Sequence, residues 1–141
     1  MLKSILSTIV CLLILSWGMA QPETDLYLME IIQTEDGGVI LSNPLNMTPR
    51  KGYDNQPSFT PDGKQILYVS ADSKGQTDIF MYDIQAGSSS RVTRTPKRSE
   101  YSPKLTPDGA HVTAVCIEED GSTQRIWQYP LEGDTAICVG Y

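Results

Sequence analysis

The 141-residue chain is poor in the groups from which reactive sites are built, with one histidine and three cysteines. A lone His111 cannot make a histidine-rich metal site. A serine relay would also need its nucleophile in a Gly-x-Ser-x-Gly elbow, which occurs nowhere in the chain. There is no Cys-x-x-Cys spacing for zinc or redox work and no Walker or Rossmann glycine pattern for a nucleotide. Positive charge is scarce too, with 11 Lys and Arg against 17 Asp and Glu and a formal net charge of −6. Such a surface repels phosphate backbones, whose capture needs clustered cations. The nearest thing to a basic patch, Arg91, Arg94, Lys97, Arg98 and Lys104, reads as a solvated, charge-defended edge strand. These absences predict no catalytic residue, no cofactor, no metal ligand and no nucleic-acid partner.

Long apolar runs are missing as well, outside the first twenty residues. There Lys3 gives a positive start, Ile5 to Leu15 an apolar stretch, and Gly18-Met19-Ala20 a small-x-small junction. The stretch is broken by Ser7, Thr8 and Ser16 and falls short of the ~20 residues a bilayer core requires. Residues 1–20 therefore read as a signal peptide cleaved after Ala20, which implies a periplasmic or secreted protein without stable membrane insertion. Of the two cysteines left, Cys116 sits in an apolar run as a small filler. A disulfide to Cys138 remains open.

What the chain does have is a repeated phrase. Asp54-Asn-Gln-Pro57-Ser-Phe59-Thr60-Pro61-Asp62-Gly63 recurs as Glu100-Tyr-Ser-Pro103-Lys-Leu105-Thr106-Pro107-Asp108-Gly109, 46 residues later. In each copy the proline presets a turn, the aspartate satisfies turn amides, and the glycine takes a φ > 0 position that closes a hairpin. After the first turn come Lys64–Ser70 and Asp78–Ile84, dense in β-branched and aromatic residues, with Arg91–Arg94 read as a short outer strand and Ser88–Ser90 as loop. After the second come Val112–Ile117 and Arg125–Leu131. Upstream, Asp25–Ile31 resembles the Asp78 strand, and Leu45–Thr48 resembles Arg91–Thr93.

A period of this size with four strand signals predicts an all-β propeller of four-stranded antiparallel blades. About two and a half blades are present within 21–141: a half blade near 25–48 and repeats near 54–94 and 100–134. The string acid-x-x-Pro-x-aromatic-Thr-Pro-Asp-Gly, then a strand ending in Ser and an Asp-Ile-aromatic strand, resembles the TolB-like β-propeller repeat. That resemblance implies a ring, usually of six blades, used as a binding platform, and this chain as an N-terminal piece of it. No helical domain precedes the first strand, unlike TolB itself.

The recurrent carboxylates Asp54, Asp62, Asp78, Asp83, Glu100 and Asp108 are positioned for turn and loop hydrogen bonds, with a Ca²⁺-lined channel as the alternative. Tyr53 and Tyr101, in the loops entering the innermost strands, are the candidate recognition residues. The expected partner is a protein or peptide ahead of a glycan, with self-association if the ring stays incomplete. The competing expectation is the gating propeller of a larger serine peptidase of the prolyl-oligopeptidase or tricorn kind.

Overall fold

A computed structural model describes residues 22–133 and 135–140. The leader and its junction at Ala20 lie outside these residues. Within them the chain is all β.

A hairpin comes first: β1 (Tyr27–Gln33) and β2 (Val39–Asn46) pair with each other alone. It is followed by a sheet in chain order, β3 (Asp54–Phe59), β4 (Gln65–Ala71), β5 (Thr77–Asp83) and β6 (Ser88–Arg91). A second sheet repeats it with β7 (Ser99–Leu105), β8 (His111–Ile117), β9 (Gln124–Pro130) and β10 (Ile137–Gly140). Every pairing between named strands is antiparallel.

The turns follow the sequence chemistry. Gly63 and Gly109 lie at φ 69° and 70°. The backbone amides of Lys64 and Ala110 donate to Asp62 Oδ1 and Asp108 Oδ1 at 3.1 and 3.0 Å. Innermost strands β3 and β7 each contain a proline, Pro57 and Pro103, which an edge tolerates because no ladder partner needs the missing N–H. Beside each proline the register slips, and Gln56 and Ser102 take φ 54°. These bulges break up the free inner edges.

Three boundaries differ from the sequence reading. The outer strand of the first sheet is Ser88–Arg91, not Arg91–Arg94. Asp83 caps a tight turn by accepting from Ala86 N at 2.7 Å, so the strand resumes at once. An outermost strand wet on both faces needs no apolar residues, which is why three serines suffice and why their composition resembles a loop. The second arm of the hairpin already begins at Val39, whereas the sequence pattern marks only Leu45–Thr48. The second sheet takes its fourth strand from Ile137–Gly140, beyond the boundary near 134.

Packing is sheet on sheet. β4 is apolar on both faces: Ile66 and Tyr68 turn toward the hairpin, meeting Met47, Leu26 and Leu28. Leu67 and Val69 turn the other way, and with Ile79 and Met81 meet Val112, Ala114 and Tyr129 of the second sheet. Full burial of such side chains contributes about 1.5–3 kcal/mol each. The first sheet is thus covered on both sides within the chain. The open surfaces are the hairpin, where Ile31 is 72% and Leu41 62% exposed, and the far side of the second sheet, with Ile126 and Val139.

Two polar joints tie the layers, built alike. Thr24 Oγ1 donates to the Asp54 carbonyl at 2.9 Å, and Thr77 Oγ1 to the Glu100 carbonyl at 3.0 Å. Leu26 N–H donates to Thr48 Oγ1 at 2.9 Å, and Ile79 N–H to Thr93 Oγ1 at 2.8 Å. Asn46 reaches Asp25 at 2.7 Å, and Arg91 grips Asp78 in the same way. The sequence carried this signal in Thr24-Asp25-Leu26 and Thr77-Asp78-Ile79.

Candidate functional site

The up-and-down topology sorts the loops onto two rims. Turns β1–β2, β3–β4, β5–β6 and β7–β8 share one rim, and the β2–β3, β4–β5, β6–β7 and β8–β9 loops share the other. On the first rim the carboxylates are locked into their own turns. Asp36, Asp62 and Asp108 each accept a threonine hydroxyl and backbone amides, and these bonds hold all three below the usual carboxylate range. His111 Nδ1 stands 3.7 Å from Asp108.

The second rim is grooved. One groove, of about 760 Å³, runs between the loop before β3 and the β4–β5 loop, lined among others by Glu23, Arg50, Lys51, Tyr53, Asp72 and Lys74. Arg50 forms its floor, donating to Asp54 Oδ1 at 2.7 Å, Ser70 Oγ at 2.6 Å and the Ala71 carbonyl at 3.0 Å. Asp72 is occupied by the amides of Lys74 and Gln76 at 2.8 and 3.0 Å. Lys51 and Lys74 have no ion-pair partner among the described residues. Neither lysine stood out in the sequence, because they are 23 residues apart and meet only across the groove.

A second groove, of about 370 Å³, continues past Lys74 toward the β8–β9 loop. Beyond Lys74 its charges pair with one another. Arg98 reaches Glu118 at 3.1 Å and lies 4.3 Å over the Trp127 ring, and Lys97 reaches Glu119 at 3.3 Å. Trp127 donates to Glu118 at 2.8 Å.

Tyr53 lines the first groove beside β3, half-buried, and burial raises its phenol above the ordinary value. Tyr101 is placed differently from the sequence reading: it lies inside β7, opposite Val115, not in a loop. Both rings pack partly against the core between the sheets. The five basic residues read as one patch are dispersed. Arg91 serves Asp78, Lys97 and Arg98 serve the acidic loop, and Lys104 donates to Ser58 Oγ at 2.9 Å. Cys116 is buried and Cys138 exposed, both as free thiols. Among the described residues, no three His, Cys, Asp or Glu side chains converge in a metal-binding group, and no helix is long and apolar enough to cross a membrane.

No known family profile matches the chain. It is 27% identical over 114 residues to Dipeptidyl-peptidase 5 of Porphyromonas endodontalis, covering 74% of this chain and 16% of that protein. Over 70 residues it is 31% identical to the Tol-Pal system protein TolB of Alcanivorax borkumensis, covering 46% of this chain and 14% of that one. Among solved structures, TolB from Acinetobacter baumannii superposes with a TM-score of 0.59 at 23% identity, over 78% of this chain and 26% of that one. A putative TolB from Agrobacterium tumefaciens gives 0.58 at 20% identity, over 88% of this chain and 48% of that one. The chain has a TolB-like β-propeller fold, and it spans a small part of the curated relatives it matches.

Proposed function

We propose that this chain belongs to an exported, non-enzymatic propeller whose grooved rim binds a protein or peptide segment. The observation that carries the reading is the groove beside Tyr53, where Lys51 and Lys74 stand free of ion pairs among the described residues while Asp72 is engaged by backbone amides and Asp54 by Arg50. An extended segment fits such a cleft: the aromatic ring offers apolar contact and the ammonium groups select carbonyl or carboxylate oxygens. A glycan would want more aromatic surface than one half-buried tyrosine gives. Tyr101 contributes through packing from within its strand.

The test is site-specific photo-crosslinking in cells that export the full protein. A photoreactive residue at Lys74 is expected to give discrete protein adducts, and one at Lys64 on the opposite rim is not. The adducts should fade when Lys51 is also changed to Glu. Equal labelling from both rims, or none from Lys74, removes the reading.

A second reading is favoured by the likeness to Dipeptidyl-peptidase 5. In it the propeller gates access to a hydrolase domain carried by the same polypeptide. Release of dipeptides from a chromogenic peptide by the full natural protein would support it. A downstream Gly-x-Ser-x-Gly with later Asp and His in the reading frame would point the same way.

A further inference from the structure

The joint between the two four-stranded sheets encloses a carboxyl group that forms none of the salt bridges seen among the described residues. Glu100 of β7 is fully buried. Three hydrogen-bearing groups converge on its Oε1: Thr95 Oγ1 at 2.5 Å, Tyr129 OH at 3.1 Å and Cys116 Sγ at 3.8 Å. Its other oxygen, Oε2, stands 3.2 Å from the hydroxyl of Thr93.

That hydroxyl is contested. It accepts the Ile79 N–H at 2.8 Å and lies 3.2 Å from Asp78 Oδ1 as well as from Glu100. A hydroxyl has one proton and two lone pairs, so it can donate to only one of the two carboxyls. If both were ionised, one of the two oxygen contacts would hold no proton, in a site where an uncompensated charge is expensive. Asp78 is the anchored anion. Arg91 and Gln76 Nε2 hold its Oδ2, the latter at 3.0 Å, and Thr95 N–H reaches its Oδ1 at 3.2 Å.

We infer that Glu100 is a protonated, neutral carboxylic acid in the folded protein at neutral pH, donating from Oε2 to Thr93 while Thr93 donates to Asp78, and that this shared proton makes the joint a pH-sensitive latch between the sheets. Each oxygen–oxygen contact then holds one proton, with Oε1 as the carbonyl that accepts from Thr95 and Tyr129 while the Cys116 S–H also faces the Ile117 carbonyl at 3.6 Å.

The surrounding charges agree. The guanidinium of Arg98 is held 3.1 Å from Glu118. Burial raises the Glu100 carboxyl above the ordinary glutamate value and Asp78 adds to the rise, against the pull of the Thr95, Tyr129 and Thr93 hydroxyls. A carboxyl raised on folding lends stability that is complete below the unfolded glutamate value and is lost as pH climbs through the folded one. The latch therefore holds in acid and weakens toward alkaline pH.

The experiment is an infrared spectrum of the full-length protein at neutral pH, combined with urea midpoints between about pH 5 and about pH 8. Wild type should show a protonated-carboxyl stretch that Glu100→Gln lacks. Its midpoint should fall across this range more steeply than that of Glu100→Gln, which keeps the neutral donor. No protonated-carboxyl band in wild type overturns the inference, whether or not the variant folds. Parallel midpoint curves for the two proteins overturn it also.

Discussion

Asp54 and Glu100 occupy the same position in successive sheets, yet Asp54 faces the guanidinium of Arg50 at 2.7 Å while the hydrogen bonds of Glu100 come from hydroxyls and a thiol. Each lies at the start of an innermost strand, first in β3 and second in β7, and each has its carbonyl held by a threonine of the preceding layer. One repeated joint is thus solved twice, with an ion pair and with a network of neutral donors. The difference traces to the residue five or four places upstream, Thr95 before Glu100 and Arg50 before Asp54.

Removing Arg50 should be costly because its partner cannot escape to water. Asp54 is 1% exposed, and its Oδ2 has no hydrogen-bond partner among the described residues. Arg50→Met is expected to lower stability by about 2–3 kcal/mol, below the ~3–5 of a fully buried pair, since the guanidinium side is 40% exposed. Adding Asp54→Asn should recover part of the loss. Urea titration of the full protein reads both, and an unchanged midpoint for Arg50→Met would show that the pair contributes nothing.

Gly63 tests the turn. A Cβ added there meets nothing within 4 Å, so any penalty comes from the backbone at φ 69° and not from crowding. Gly63→Val should cost about 1–3 kcal/mol, and Gly63→Asn clearly less, because asparagine tolerates the left-handed region. The same ordering is expected at Gly109. Thermal or denaturant midpoints that rank Val and Asn equally would mean that the turn relaxes to another type.

The two thiols of the sheets should differ sharply in reactivity. Burial, with Glu118 adding to it, pushes the Cys116 thiol up to about 11, so the attacking thiolate is scarce at neutral pH as well as enclosed. Cys138 is exposed. Brief alkylation of the folded protein followed by peptide mass spectrometry should find the label on Cys138, with Cys116 modified only in denaturant. Equal labelling of both under native conditions would show that the joint opens readily.

The sequence carried the repeat because hairpin turns are chemically explicit. Pro61, Asp62 and Gly63, with their copies at Pro107, Asp108 and Gly109, announce a reversal that few other residues could make, and apolar strands flank each one. Ser88–Ser90 and Val39–Leu41 escaped, since an outer strand and a projecting hairpin are held by backbone pairing and leave little mark in composition. The groove escaped for a different reason. Lys51 and Lys74 carry no pattern along the chain, and their neighbourhood exists only once the loops of two layers stand side by side.

Local chemistry by itself therefore determined the architecture: where the chain turns, which segments are strands, and that they repeat as antiparallel sheets with both faces of β4 to be covered. Tertiary structure alone decided what each repeated residue does. Whether a carboxyl at the joint meets a cation or a hydroxyl, and whether a lysine is paired or free, depends on side chains brought in from a neighbouring layer. Electrostatics and desolvation act through space over a few ångströms, and sequence order does not encode those distances.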